Sequence, residues 1–408
     1  VVLVDADKVL VDERLDMDPG NPWIGSKLKF GGEDESALCL SLFDEKGNLL
    51  AEYRPQKETT KVRKRKLASE PAKPEEINSV DELFLVGEHL EQYRHPTRNP
   101  EDYWKEGLKR DERDSRCNLA LGKAALRRGE FSQALLHLEK SIASQIRFHP
   151  NPSSGEAYYH AGLCRRYLGE IKDAYALFYK ATWNYEWRSA GYYELACLDA
   201  LDGHMEEALQ HAIRSQETNT QNNKAMVLEA LAMVRLGEMD RAVARLRALL
   251  ETDPLDPWAC YELERVTGAS HEEFRRRFRN DAQTLLDVAF DYVRAGFYEE
   301  GKDLLEWHLA SEVEPSAVPN SLERSPSVLF AIAWFHWKLG NLKEAGEKLA
   351  EASRQSPDYF FPSRLEEQIV LEWARSESSS WLAGYGLGNY YFDKRRHEEA
   401  IKVWKEAA

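Results

Sequence analysis

One short stretch of the chain combines two tryptophans, a tyrosine, a glutamate and an arginine. It runs Trp183-Asn184-Tyr185-Glu186-Trp187-Arg188. Sugars stack on aromatic rings, and polar groups beside the rings bind hydroxyls, so this composition suits a carbohydrate contact. Large aromatic side chains mostly fill protein cores, however, and the stretch would serve equally as a tryptophan-rich joint between helices. We favour the joint and keep the carbohydrate contact as the alternative.

A second polar group lies near residue 95. Glu91, His95 and Arg98 stand close to Pro96. They would either add to a sugar site or cap the end of a helix that stops before the proline. A glycosidase is not indicated by Glu186 alone, because that chemistry uses a second carboxylate at a set distance.

Signatures of catalysis and of cofactor binding are absent from the sequence. It contains no glycine-rich phosphate loop, no Gly-x-Ser-x-Gly and no His-Glu-x-x-His. His204 and His211 lie seven residues apart on one predicted helix, and we interpret them as surface histidines rather than metal ligands. We therefore expect this chain alone to be noncatalytic and to use neither cofactor nor metal.

Charge and composition exclude several classes of function. The 408 residues carry a net charge of -15, which argues against nucleic-acid binding because that role uses a concentrated basic surface. No apolar run approaches the roughly 20 residues of a membrane-spanning helix. The five cysteines are widely spaced and form no Cys-x-x-Cys pair, which is typical of a reducing compartment. We expect a cytoplasmic protein with neither nucleic-acid nor membrane partners.

A repeat of 34 residues dominates the sequence. Ala174, Ala208 and Ala242 are 34 residues apart, and each follows a glycine by five residues. This period is typical of stacked helix-turn-helix units. We predict a mainly α fold, a right-handed α-α superhelical solenoid over residues 77–408, with irregular helix pairs near 80–110 and 257–280.

The residues before the solenoid follow different patterns. Residues 1–56 alternate short apolar runs with polar turns and predict a small antiparallel β segment, in which Gly47 turns the second hairpin. Residues 57–76 are rich in lysine, arginine and proline and predict a solvated linker. The chain begins at Val1 and ends inside a helical pattern, so we expect a piece of a longer protein whose β domain is truncated here.

The repeat spacing resembles the tetratricopeptide repeat family. Leu121-Gly122, Gly129, Phe131 and Ala134 form one unit, and Gly162, Gly169, Ala174 and Phe178 form the next. Matching units begin near Ser115, Gly155, Ser189, Asn223, Ala282, Pro326 and Trp381. The resemblance implies paired antiparallel helices with small residues where the helices cross.

Three further segments resemble bacterial proteins of the domain of unknown function 5107 family. They are 89–95, 178–188 and 359–367. In that family a mutarotase-like β-sandwich, associated with carbohydrate, precedes a tetratricopeptide tail. The resemblance therefore implies that this chain is the tail and that the sugar-facing domain lies outside it.

One face of each first helix carries the residues that we expect to bind a partner. Positions 2, 5, 9, 12 and 13 of a helix share a face, and in the tetratricopeptide family that face lines the concave groove. The basic residues at these positions are Arg116, Lys123, Arg127, Arg166, Lys224, Arg235, Arg294 and Lys338, against the acids Glu156 and Asp393. The aromatic residues are Tyr159, Tyr167, Tyr193, Phe290, Phe330, Trp334, Trp337 and Tyr385. This pattern predicts a cationic, aromatic groove, although the same side chains would also fill the seam between neighbouring helices.

Two hypotheses on function follow. The first is a noncatalytic interaction scaffold that binds a protein segment, with an anionic one favoured, or the missing β-domain. Its binding residues are Arg127, Tyr159, Arg166, Tyr167, Tyr193, Arg235, Arg294, Trp334 and Trp337. The alternative is the tail of a carbohydrate-active enzyme, whose sugar site is completed by His95, Arg98, Trp183, Tyr185, Glu186, Trp187 and Arg188.

Overall fold

The computed structural model describes residues 1–17, 22–25, 34–56, 69–279, 281–310 and 325–408. Within it the chain forms two compact units, Val1–Glu70 and Pro71–Ala408. The basic run that we interpret as a linker, residues 61–66, lies outside the described residues.

The first unit is a four-stranded antiparallel sheet. Its strands are β1 (Val2–Asp5), β2 (Lys8–Asp12), β3 (Leu38–Phe43) and β4 (Leu49–Tyr53), in the order β2-β1-β3-β4, with a 3-10 turn at Glu35–Ala37. Both predicted hairpins are present. Gly47 has a φ of +83°, and the Asp44 carboxylate accepts the backbone N–H of Asn48 at 2.7 Å, which closes the loop between β3 and β4.

The second unit is helical throughout its described part, apart from connecting turns and a 3-10 turn at Pro74–Glu76. Its first ten helices are α1 (Val80–Gln92), α2 (Pro100–Arg110), α3 (Ser115–Arg127), α4 (Phe131–Gln145), α5 (Glu156–Tyr167), α6 (Ile171–Ala181), α7 (Tyr185–Leu201), α8 (Met205–Thr218), α9 (Asn223–Arg235) and α10 (Met239–Thr252). The remaining helices are α11 (Pro257–Thr267), α12 (Glu272–Phe278), α13 (Ala282–Arg294), α14 (Tyr298–Ala310), α15 (Pro326–Lys338), α16 (Leu342–Ala352), α17 (Leu365–Glu377), α18 (Trp381–Asp393) and α19 (His397–Ala407).

The predicted solenoid is confirmed. The seven predicted units correspond to the first helices α3, α5, α7, α9, α13, α15 and α18. Small residues stand where paired helices cross: Ala174, Ala208 and Ala242 are fully buried. A Cβ on Gly162 would lie 2.6 Å from the buried ring of Phe178, so a larger side chain would force α5 and α6 apart.

Two features depart from the regular repeat. α11 and α12 form the short pair expected near 257–280, with residue 280 outside the described residues. α17 was not predicted as a helix. It stands between the pair α15 and α16 and the pair α18 and α19, and among the described helices it has no partner of its own.

The C-terminal helices contact the early repeats. The Gln368 side-chain amide on α17 donates to the carbonyl of Gly129 at 3.3 Å, and the Arg396 guanidinium donates to the carbonyl of Arg128 at 3.1 Å. The Tyr167 hydroxyl donates to the Glu366 carboxylate at 3.1 Å. The two ends of the helical array therefore meet along α17. Among the described helices, none combines the length and the apolar character that a membrane crossing needs.

Two glycines in equivalent turns differ in how closely another helix approaches them. Gly296 and Gly340 both follow a first helix with φ of +83° and +81°. A Cβ on Gly296 would lie 2.8 Å from the Cα of Leu201 on α7, whereas one on Gly340 would meet nothing within 4 Å.

We expect Gly340→Ala to lower the free energy of unfolding by about 1–2 kcal/mol, the cost of a left-handed residue with a Cβ. Gly296→Ala should cost about 1–3 kcal/mol more, because the backbone of α7 blocks the added methyl group. Urea unfolding of both variants measures the difference. Equal losses would contradict the close approach of α7 to the turn after α13.

Candidate functional site

A buried carboxylate holds the centre of the helical unit. Glu194 on α7 is 1 % exposed and lies between Arg166 on α5 and Arg294 on α13. The Glu194 Oε2 to Arg166 Nη1 distance is 2.6 Å, and Arg294 binds the other carboxylate oxygen. Arg166 also donates to the carbonyl of Arg294. Burial would raise the pKa of Glu194, but the guanidinium groups of Arg294 and Arg166 outweigh it and hold that pKa below its usual range.

We expected an excess of positive charge on the first-helix face, but in the structure carboxylates neutralise most of these cations. Carboxylates from positions outside the predicted set pair with these cations: Lys224 with Asp291 at 2.8 Å, Arg235 with Glu300 at 2.5 Å, Arg116 with Asp81 at 2.6 Å and Arg127 with Glu91. Lys123 pairs with the predicted acid Glu156 at 2.5 Å. These acids reach the face from the next turn or the next helix, so the spacing along a single helix does not reveal them.

A cavity of about 380 Å³ opens beside the Glu194 cluster, and we call it the central cavity. Its walls come from α5, α13, α15 and α17, together with the turn after α5, the start of α6, the end of α7 and the start of α14. The lining residues are Arg166, Tyr167, Gly169, Ile171, Leu201, Phe290, Val293, Arg294, Tyr298, Trp334, Lys338, Glu366 and Ile369. Six of the residues that we singled out on the first-helix face therefore meet here: two come from α5, and four come from the later units that begin with α13 and α15.

Lys338 differs from the other cations of the central cavity. Its ammonium lies 5.1 Å from the ring centre of Trp334 and 4.9 Å from that of Trp337, in cation–π contact with both. No carboxylate of the described residues lies within ion-pair distance of it. Arg166 and Arg294 are bound to Glu194, and Arg294 also lies 3.7 Å from Glu366. Lys338 is thus the cation of this cavity that is left for a ligand.

Several aromatic residues predicted to line a groove lie in the core instead. Tyr193 is 8 % exposed and Phe330 is fully buried, the latter stacked on Phe360 with ring centres 5.9 Å apart. Trp337 packs on Trp373 at 5.5 Å. For Tyr193 and Phe330 the seam-filling alternative is the correct one, because the first helices pack on their neighbours along this face.

The aromatic stretch 183–188 forms the joint between α6 and α7. Trp187 packs against Tyr159 and His160, with ring centres 5.1 and 5.5 Å away. Trp183 and Tyr185 are exposed, and each is covered on one face by a cation, Lys180 or Arg188. Glu186 is exposed at the start of α7.

The other predicted sugar residues lie elsewhere. His95 and Arg98 line a second cavity, of about 700 Å³, together with Arg127. It lies where the C-terminal ends of α1, α3 and α18 converge, and we call it the seam cavity. The predicted acid Asp393 also lines it.

The histidines considered as metal ligands lie apart from any metal-binding group among the described residues. In the part of the chain that the structure describes, no three histidine, cysteine or acidic side chains form a metal-binding group. His204 is exposed, as expected, but the interpretation of His211 as a surface residue is wrong. Its Nδ1 lies 2.6 Å from the carboxylate of Asp199, and its side chain is 13 % exposed.

The buried carboxylates Glu194 and Asp291 can be recognised in the sequence by their apolar neighbours. Glu194 stands in Tyr193-Glu194-Leu195-Ala196, and Asp291 stands in Phe290-Asp291-Tyr292-Val293. An acid inside an apolar run is buried with its neighbours and needs a cation. The partner of Glu194, Arg294, lies 100 residues further along the chain, and the packing of the superhelix brings the two together.

We expect Glu194→Gln to lower the free energy of unfolding at pH 7 by about 3–5 kcal/mol, because two buried guanidinium groups lose their shared carboxylate. Since the folded-state pKa of Glu194 is lowered, its stabilising effect is complete above the unfolded pKa of about 4.3. The effect is then lost as the pH falls through the folded value.

Urea unfolding of the wild type and the variant at several pH values measures this difference. Glu206→Gln on the exposed face of α8 is the control and should change stability by less than about 0.5 kcal/mol. Equal stability of Glu194→Gln and wild type at pH 7 would contradict the buried pairing.

One family model and several solved structures are similar to parts of this chain. A family model described as tetratricopeptide repeat matches residues 119–186. A tetratricopeptide repeat protein from Parabacteroides merdae shares 13 % identity with a TM-score of 0.42, covering 72 % of this chain and 97 % of that one. YrrB, a tetratricopeptide repeat protein with an unusual peptide-binding site, shares 16 % identity with a TM-score of 0.33, covering 50 % and 89 %. MamA shares 20 % identity with a TM-score of 0.37, covering 43 % and 92 %. The stretch from α3 to the start of α7 is thus similar in sequence to tetratricopeptide repeats.

Proposed function

We propose that the helical unit is a noncatalytic interaction scaffold whose central cavity binds a segment of another protein. The observation that carries this proposal is one open cavity with aromatic walls and a lysine that no carboxylate of the described residues neutralises. Its volume of about 380 Å³ lies within the range of sites that hold small ligands or a few side chains.

The lining favours a particular kind of segment. Trp334 and Tyr298 lie edge to face with ring centres 6.1 Å apart, and Leu201 and Ile369 add aliphatic surface. An apolar side chain fits this wall, since desolvated aromatic pockets anchor most protein interfaces. Lys338 at the wall would meet a carboxylate of the same segment. We therefore propose a segment with an aromatic or aliphatic side chain close to an acidic residue.

Arg166 and Arg294 support the cavity rather than bind the ligand. Their side chains are 10 % and 19 % exposed, and both are bound to Glu194. A ligand carboxylate would have to compete with a buried carboxylate that already has both guanidinium groups. The charge that attracts the partner is therefore assigned to Lys338.

The carbohydrate alternative stays a prediction. Its residues divide between the α6–α7 joint and the seam cavity, so no single described cavity combines them. The relation to the domain of unknown function 5107 family likewise stays a prediction.

Selection of random ten-residue peptides on the full chain, followed by calorimetry with an enriched synthetic peptide, tests the proposal. We expect Trp334→Ala to weaken the affinity about 30-fold, the effect of removing a hot-spot aromatic residue. Lys338→Gln should weaken it about tenfold, because a charge-assisted hydrogen bond is lost. Trp183→Ala, an exposed tryptophan outside the cavity, is the matched control.

Circular dichroism and thermal unfolding establish that each variant is folded. Because Lys338 is exposed and has no carboxylate partner among the described residues, its variant keeps the fold even if Trp334→Ala does not. Equal affinity of the selected peptide for wild type, Trp334→Ala and Lys338→Gln would refute the central cavity as the site. Failure to enrich any peptide would refute the scaffold function proposed here.

A further inference from the structure

Two arginines that line the seam cavity occupy backbone positions where the other repeats have glycine. The second residue after each first helix adopts the left-handed conformation. In six units it is Gly129, Gly169, Gly203, Gly237, Gly296 or Gly340, with φ between +74° and +84°. In the last unit it is Arg395, with φ of +60°, and after α1 it is Arg94, with φ of +48°.

The backbone geometry at these arginines is the same as at the glycines. The N–H of Arg396 bonds to the carbonyl of Tyr391 at 2.8 Å, as the N–H of Glu130 bonds to that of Ala125 at 3.0 Å. A Cβ is strained in this conformation, so glycine is the usual choice at a helix C-terminus. Residues held in such conformations concentrate at functional sites.

The charge of the seam cavity is unbalanced. Its lining holds six cations, Arg94, Arg98, Arg127, Arg128, Lys394 and Arg395, and three carboxylates, Glu91, Glu101 and Asp393. Each carboxylate is bound to a cation of the cavity: Glu91 to Arg127, Glu101 to Arg128, and Asp393 to Lys394 at 2.9 Å. Glu101 also binds Lys105, which does not line the cavity, at 3.1 Å. Among the described residues, no carboxylate forms an ion pair with Arg94 or Arg395. Both side chains are exposed.

His95 adds an N–H donor to the same cavity. Its Nδ1 accepts the backbone N–H of Arg98 at 3.2 Å and that of Thr97 at 3.4 Å. A ring nitrogen that accepts these bonds carries no proton, so the ring proton lies on Nε2. His95 therefore offers one N–H donor beside the arginines.

We propose that the seam cavity binds the phosphate group of a small molecule, with Arg94 and Arg395 as its principal ligands. Guanidinium groups bind phosphate oxygens through forked hydrogen bonds, and the N–H of His95, which lines the same cavity, supplies a further donor. The volume of about 700 Å³ is that of a small-ligand site. Acidic residues inside the cavity and the net charge of -15 confine the positive potential, which disfavours an extended polyanion.

The competing explanation is that these cations only stabilise helix C-termini. Basic side chains near the last carbonyls of a helix interact favourably with its dipole. That role predicts that replacing Arg94 or Arg395 by glycine weakens the helix end and changes no binding. The phosphate site predicts weaker phosphate binding, because glycine removes a ligand, while the relief of left-handed strain by glycine keeps the helix end stable.

Calorimetric titration of the full chain with orthophosphate, glycerol 3-phosphate and pyrophosphate tests the site. Orthophosphate represents a free anion, and glycerol 3-phosphate represents an esterified one. We expect saturable binding of at least one probe, weakened about tenfold or more by Arg395→Gly and by Arg94→Gly. The thermal midpoint of Arg395→Gly should equal or exceed that of the wild type.

Arg279→Gly is the matched control. Arg279 is also an arginine at positive φ, +52°, after α12, and it is not among the residues that line the seam cavity. This variant should bind the probes as the wild type does. Absence of saturable binding, equal affinities across all variants, or binding of a synthetic hexaglutamate peptide in place of the phosphates would overturn the proposal.

Discussion

The arrangement of the helical unit depends on one buried carboxylate shared by two arginines. Glu194 joins α7 to α5 and α13, two helices more than 100 residues apart in the chain. A charge at this depth is tolerated only when opposite charges and hydrogen bonds surround it. The pairing therefore fixes how the superhelix curves back on itself, and the central cavity is the space that remains beside it.

The same pairing decides which charges can act on a partner. Most basic residues on the first-helix face are neutralised within the chain, by Asp291, Glu300 and others, so the face is not a continuous positive groove. Positive charge without an internal partner is found among the described residues at discrete places. One is Lys338 in the central cavity, and another is the pair Arg94 and Arg395 in the seam cavity.

The fold could be predicted because its determinants are local and periodic. Ala174 and its counterparts mark the helix crossings, and Gly47 marks a hairpin that the structure contains. The site could be predicted only in part. Helical geometry placed Arg166, Tyr167 and Trp334 on one face, but it could not show that α17 returns to that face with Glu366. Nor could it separate aromatics that line the cavity from those in the core. Tyr193 and Tyr167 share the predicted face, but the packing of neighbouring helices buries Tyr193 and leaves Tyr167 half-buried in the cavity wall.

Labelling of the native chain with an arginine-specific reagent such as phenylglyoxal, read out by peptide mass spectrometry, tests the central claim most directly. The buried pairing predicts that Arg166 and Arg294 stay unmodified until the chain is unfolded, while Arg94, Arg279 and Arg395 react in the native state. Modification of Arg166 and Arg294 at the rate of these exposed arginines would contradict the account, because it would mean that Glu194 does not hold them.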